Sequence, residues 1–357
     1  MKEYAKYLSL VIACFIFTIL GAGKVQAQTM SYPATATSYS NGNGTAFMDG
    51  NSLKYKDQGG KVTVLDTLDD EVMDRQATKL YIRGDRVYYS DFTGTYSVKT
   101  DGTDKKIISD KGRLIGGYGS SQIVYKDGYI LKIAGEKSQK LFKTQTGKYS
   151  IFKGKVYDGM YVYNIVTGKK TSLKMYNNNG LTNPAYANQN INNYATKSSL
   201  FYISSTKKLV RVNIKNEKTV LCSDVDKIVG ATGNRCIFLH NGYYYKSYGN
   251  KIQKVCKASD VTKKVSAIGG VRSQFKGIIK EAVLTNAGVV FNVQTYDTEQ
   301  WTNTFVMVNT EGKLKVVRKG TEGFRLGWLA AKGNTIYYGK QINPENECFE
   351  YKTMSVK

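Results

Sequence analysis

The 357-residue chain holds a single histidine, His240, and three prolines. One histidine excludes a His-rich metal centre and leaves His240 as the only base open to a His-dependent triad. It precedes Asn241-Gly242, a strong hairpin signal, and so reads as a strand residue flanking a turn. Few prolines beside 35 glycines mean frequent turns and few rigid linkers, and no internal domain boundary is visible. Cysteine is also scarce. Cys222, Cys236, Cys256 and Cys348 follow Cys14 without a C-x-x-C spacing, which removes the usual zinc and redox signatures. Cys222 with Cys236, or Cys236 with Cys256, is open to a disulfide in an exported protein; four small buried hydrophobes is the simpler reading.

Motifs for chemistry are missing as well. Asp66, Asp69, Asp70, Glu71 and Asp74 offer oxygen ligands, yet the D-x-D-x-D-G calcium spacing is absent and a short exposed helical turn is expected there. No sialidase-type Asp-box occupies the turns. Paired carboxylates drawn from separate repeats would leave no local spacing, so a glycosidase stays open as an alternative. Arg83-Gly84-Asp85 spells an integrin-type tripeptide, but Gly-Asp between two strands is ordinary hairpin chemistry. No catalytic residue, metal ligand or cofactor is assigned.

Acidic residues are few, 28 against 52 basic, for a net charge of +24. The lysines and arginines are spread through nearly every repeat, which suits retention at an anionic surface better than a sequence-reading nucleic-acid groove. The one long apolar run is uncharged from Tyr7 to Gly23; it follows Lys2 and Lys6 and precedes Val25-Gln26-Ala27, an A-x-A-like cleavage site. Residues 1–27 therefore read as a secretory signal peptide, with an uncleaved anchor as the alternative.

What the chain does have is repetition. Short β-branched or aromatic runs begin near Thr45, Val87, Ile123, Val156, Leu200, Cys236, Val289 and Thr335, 33 to 53 residues apart. That period belongs to a propeller blade. The clearest copy reads as four antiparallel strands: Lys79-Leu80-Tyr81-Ile82, Arg86-Val87-Tyr88-Tyr89, Thr95-Tyr96-Ser97-Val98-Lys99 and Lys105-Lys106-Ile107-Ile108.

Tyr88-Tyr89-Ser90-Asp91, followed by Val98-Lys99-Thr100-Asp101-Gly102-Thr103-Asp104-Lys105-Lys106, resembles the YWTD repeat of low-density-lipoprotein-receptor-type β-propellers. It is still more similar to the bacterial secreted domains of unknown function that resemble them. The motif decays elsewhere to Val124-Tyr125-Lys126-Asp127 or Ile336-Tyr337-Tyr338. The resemblance implies the fold and carries no catalytic residue.

The expected fold is an all-β propeller of four-stranded blades spanning 45–357, after a flexible segment 28–44. Seven blades are expected, with six or eight as alternatives. In the seven-blade reading, strands around Thr45–Phe47, Leu53–Tyr55 and Val62–Leu65 complete the last sheet and close the ring, which removes exposed edges. The long insertions Thr67–Arg75, Tyr176–Lys197, Ala258–Glu281, Gln294–Thr304 and Gln341–Glu347 fall in connections that share one end of the ring, the expected binding face. Tyr176, Asn178, Tyr186, Tyr296 and Trp301 are the candidate ligand-binding residues, flat rings beside amides that suit sugars.

These readings point to a secreted, monomeric, non-catalytic binding module, with retention at the cell wall through its charge as a further expectation. Its expected partner is an anionic wall polymer, a glycan or a protein, with no specific nucleic acid and no membrane span after cleavage. A carbohydrate-active enzyme on a propeller scaffold and a purely structural surface protein are the alternatives.

Overall fold

The computed structural model describes residues 31–357 apart from 34, 37, 69–78, 92, 145–148, 159–160, 173–192, 267–276, 298–299, 321–325 and 342–348. Residues 1–27, read as a signal peptide, acidic residues 69–74 and Cys348 lie outside the described residues. No helix among those residues is long and apolar enough to cross a membrane.

The chain is a β-propeller. Eight sheets follow one another as blades 1 to 8, spanning 38–67, 79–110, 113–143, 149–172, 193–222, 225–257, 278–319 and 326–355. Seven contain an antiparallel four-strand meander, and blade 8 has three strands. Each run singled out by sequence is the second strand of a blade, from Gly44–Asp49 in blade 1 to Thr335–Gln341 in blade 8. These strands are covered on both faces, as the adjacent and oppositely directed Val87 and Tyr88 of blade 2 show by both being buried, so they read as continuous apolar runs.

The seven-blade expectation is corrected to eight. Residues 45–65 do not complete the last sheet, because Ser38–Ser40 supplies their own inner strand, with Ser38 opposite Phe47 and Ser40 opposite Thr45. That strand falls within 28–44, the segment read as flexible. Two more strands lie there. Ser31–Pro33 pairs with the inner strand of blade 3, and Thr35–Ala36 pairs with the inner strand of blade 2. Both run antiparallel to those inner strands, so the chain enters the ring at one end, climbs the channel, and descends as the inner strand of blade 1. Gly154 N donates to Ser31 Oγ at 2.8 Å, fixing the entry point beside blade 4.

Buried apolar clusters glue neighbouring sheets together, because a lone sheet has two apolar faces and can cover neither. Phe201, Ile228 and Phe238 join blades 5 and 6, and Val229, Ala282 and Phe291 join blades 6 and 7. The helix Ala258–Ser266, in a connection read as loop, adds Val261 and Val265 to the second cluster. Between blades 8 and 1 no such cluster forms among the described residues. Phe47 stacks on Tyr351 there, with ring centroids 4.4 Å apart, and Tyr351 N donates to Asp49 Oδ1 at 3.0 Å.

The motif residues that carry the resemblance have structural work. Tyr89 is fully buried and donates to Asp66 of blade 1, which also binds Lys105 at 2.8 Å. Asp91 Oδ1 accepts from Thr93 N at 2.8 Å and Gly94 N at 2.9 Å, closing the turn after the second strand.

Candidate functional site

Topology fixes the two ends of the ring. Turns between the second and third strands share one end with the connections between blades; turns between first and second, and between third and fourth strands, share the other. The described strands that flank the five long insertions meet them at the first end, though the bounds of the insertions change. Asn193–Ala195 is the inner strand of blade 5, so Tyr194 is not in a loop and Lys197 stands at the opposite end. Gln294–Thr304 is no loop either, since the strands Gly288–Asp297 and Gln300–Asn309 run through it.

Of the sequence-derived ligand residues, Tyr176, Asn178 and Tyr186 lie outside the described residues. Tyr296 and Trp301 are brought together by backbone register, as direct partners near the tip of the blade 7 hairpin. His240 lies at its hairpin, Nδ1 3.0 Å from the Asp224 carbonyl oxygen and Nε2 3.2 Å from Asn241 Nδ2, so both ring nitrogens are engaged locally and neither faces a triad partner. Arg83 donates to the Gly119 carbonyl and to Tyr88 Oη, each at 2.6 Å, which makes the Arg-Gly-Asp turn a brace between blades 2 and 3.

The described concavities open at the other end. Ser31–Pro33 and Thr35–Ala36 pair with the inner strands of blades 3 and 2, and a cavity of about 370 Å³ lies between blades 1, 5, 6 and 8. Thr45, Lys332, Tyr337 and Tyr351 line this cavity and also a cleft of about 540 Å³ between blades 8 and 1, so the two form one groove from channel mouth to rim. The cleft exists because the last interface lacks an apolar cluster among the described residues and meets instead through the Phe47–Tyr351 stack.

Aromatic faces and ammonium groups define the groove. Tyr39, Phe47, Tyr337 and Tyr351 supply the rings, and Lys56, Lys197 and Lys332 the charge. Lys197 Nζ sits 4.5 Å from the centroid of the Tyr39 ring and donates to the Ser40 carbonyl oxygen. Partial burial pulls its pKa below the ordinary lysine value. Burial, then the neighbouring Tyr337 and Asp49, raises the Tyr351 phenol, which stays a neutral hydrogen-bonding group. The single carboxylate of the lining, Asp57, is engaged in its own turn, accepting from Lys61 N at 2.9 Å.

Inside the ring, Glu281 of the blade 7 inner strand accepts from Asn292 Nδ2 at 3.1 Å, and burial raises its pKa above the usual carboxylate value. A perturbed carboxyl of this kind is a catalytic signature when a second one faces it. Glu281 instead has Asn292, the Leu329 backbone and Tyr194 as neighbours. Among the described residues no group of three or more His, Cys, Asp or Glu could hold a metal. Cys222, Cys236 and Cys256 are free thiols. Sequence reasoning missed the groove entirely, because its residues come from blades 1, 5, 6 and 8 with no shared local pattern.

No protein-family model matches this sequence, and no curated protein matches it. Among solved structures, the chain is similar to virginiamycin B lyase from Staphylococcus aureus at 9% identity and a TM-score of 0.43, covering 93% of this chain and 96% of that one. A quinonprotein alcohol dehydrogenase-like protein from Bacteroides thetaiotaomicron matches at 11% identity and 0.43, covering 81% and 74%. PorZ, a bacterial surface component of the type-IX secretion system of Porphyromonas gingivalis, matches at 11% and 0.40, covering 88% of this chain and 57% of its own. Likenesses this remote carry no activity over, and the propeller assignment rests on the sheet topology described above.

Proposed function

We propose that the protein is a secreted, non-catalytic binding module that holds an anionic chain, an acidic glycan or wall polymer, in the groove between channel mouth and rim. The observation that supports this reading is the groove's lining: three lysines and four aromatic rings against one engaged carboxylate, in a chain of net charge +24. Ammonium groups meet anionic substituents, and tyrosine faces cover the apolar side of sugar rings. A glycosidase or lyase reading would need converging carboxylates, and the described groove brings none together.

The test is a pull-down on isolated wall polymer and acidic polysaccharide with Lys332→Glu and Tyr351→Ala variants. Binding should fall about tenfold or more in each, since a reversed charge and a lost ring each remove interactions worth more than about 1.4 kcal/mol. Unchanged retention in both variants overturns the site. A second reading puts the ligand at the loop-rich end, favoured by the register that sets Tyr296 opposite Trp301. Loss of binding in Trp301→Ala, with the groove variants unaffected, would select it.

A further inference from the structure

The groove reaches the rim between blades 8 and 1; a second feature of the same end lies on the outer turns of blades 4, 5 and 6. The turn after the third strand of blade 4 presents Val166 at 67% exposure, that of blade 5 presents Ile214 at 53%, and that of blade 6 presents Tyr248 at 68%. Three neighbouring hairpins thus end in large apolar side chains turned to solvent. The equivalent turn of blade 2 carries Asp101 and Asp104, and that of blade 7 carries Thr310 and Glu311.

The hairpins of blades 4 and 5 are each closed by an asparagine side chain. Asn164 Oδ1 accepts from Val166 N at 2.9 Å and Thr167 N at 3.0 Å, and Asn213 Oδ1 accepts from Lys215 N at 2.8 Å and Glu217 N at 3.0 Å. Such side-chain closure costs little entropy when the tip docks, because the turn is already ordered.

Charge surrounds the tips. The turns of these three blades at this end comprise residues 153–155, 164–170, 196–198, 213–218, 232–235 and 248–251. They hold nine Lys or Arg, of which Lys197 is turned to the groove, leaving eight beside one carboxylate, Glu217, which Asn213 already binds at 2.6 Å. Arg235 lies 5.9 Å from the Tyr248 ring centroid. The chain also enters the ring here, with Ser31 held by Gly154 of blade 4.

Isolated exposed apolar residues are common and mean little. Three on the hairpins of adjacent blades at one end of the ring, among cationic side chains, match what an interfacial surface needs: short apolar plugs for the headgroup–acyl boundary and cations for lipid phosphates. A folded acidic protein would instead call for a flat or concave apolar patch with paired polar groups, and these tips are separate convex points. We propose that the blade 4–6 tips are a membrane-contacting surface, with Val166, Ile214 and Tyr248 entering the headgroup layer of an anionic bilayer and the surrounding lysines pairing with its phosphates. In that pose the rim part of the groove, the cleft between blades 8 and 1, lies across the ring from the contact. The inference does not rest on the groove reading, and the variants that test the two are different.

Full-length protein carrying Val166→Trp, Ile214→Trp or, as a control, Ile107→Trp is mixed with vesicles of brominated phosphatidylglycerol. Ile107 is 72% exposed on the outer strand of blade 2, away from the three tips. Quenching beyond that of the unsubstituted protein reports contact at each site, whatever the N-terminal segment does. The expected result is at least about twofold more added quenching at Val166 and Ile214 than at Ile107, absent with brominated phosphatidylcholine. A triple variant, Val166→Asp, Ile214→Asp and Tyr248→Asp, should lose the added quenching of an Ile252→Trp reporter placed beside the blade 6 tip. Equal quenching at all three sites overturns the proposal. So does an equal fluorescence shift of the tip reporters with soluble polyglycerol phosphate, which would make the tips a polyanion site.

Discussion

Gly230 lies on the inner strand of blade 6, Val225–Thr232, where the pairing with the second strand shifts register. A Cβ built there would sit 1.9 Å from the carbonyl oxygen of Ala282 on the inner strand of blade 7. Real Cβ atoms essentially never approach closer than 3.0 Å, so Gly230→Ala must push these backbones apart by about 1.1 Å. Neither partner is a side chain that can rotate away. Directly beneath the contact, Val229, Ile237, Ala282 and Phe291 form the core between these blades, each 2% exposed or less. A gap of 0.5–1 Å forfeits roughly a quarter to a half of each dispersion well it opens, so the loss spreads over the interface. We expect a destabilisation of about 3 kcal/mol, the upper end for overpacking. Gly135→Ala is the control: its φ is +59° and nothing lies within 4 Å, so only left-handed strain remains, about 1–2 kcal/mol. Urea titrations followed by circular dichroism, compared at equal slope, give both values. A Gly230→Ala protein within about 1 kcal/mol of the parent, or one no less stable than Gly135→Ala, would refute the claim that inner-strand contact sets the spacing of the ring.

Glu281 has a pKa raised above its ordinary 4.5, so the native state holds a proton that the unfolded chain releases earlier. Its contribution to stability is greatest below that ordinary value and is lost as pH climbs through the raised one; Glu281→Gln should flatten this stretch of the pH–stability curve and be the more stable protein at neutral pH. Burial pushes the Cys236 and Cys256 thiols up to about 12 each. Thiol labelling of native protein at pH 8, mapped by mass spectrometry, should therefore modify Cys222 long before either, and rapid labelling of Cys236 would contradict its burial.

The eight marked strands were legible because a strand covered on both faces must be apolar throughout, and that demand survives in Val87-Tyr88-Tyr89 as in Ile336-Tyr337-Tyr338. Blade count was not legible. Ser38–Ser40 is a three-residue inner strand of Ser-Tyr-Ser, and its membership of a sheet comes from the pairing with Phe47 and Thr45, not from any apolar pattern of its own. The channel strands Ser31–Pro33 and Thr35–Ala36 are no longer than this, and a proline within one argues against strand from sequence alone. The insertions were assigned to one end by strand parity, but Asn193–Ala195 and the blade 7 hairpin were absorbed into them because polar or mixed residues in strands look like loops. The groove had no signal at all, since Tyr39, Lys197 and Tyr351 meet only after the ring has closed.

The pairing of Tyr351 with Asp49 joins positions 302 residues apart, and it is the joint without a buried apolar cluster among the described residues. A circular array with one such link behaves as a linear stack whose two ends happen to touch. Closing it carries the loop entropy of nearly the whole chain, whereas every other neighbour contact is local. Breathing motions should therefore start by separating the terminal sheets while the middle of the stack stays folded, and amide exchange along Phe349–Ser355 would be the first to report it.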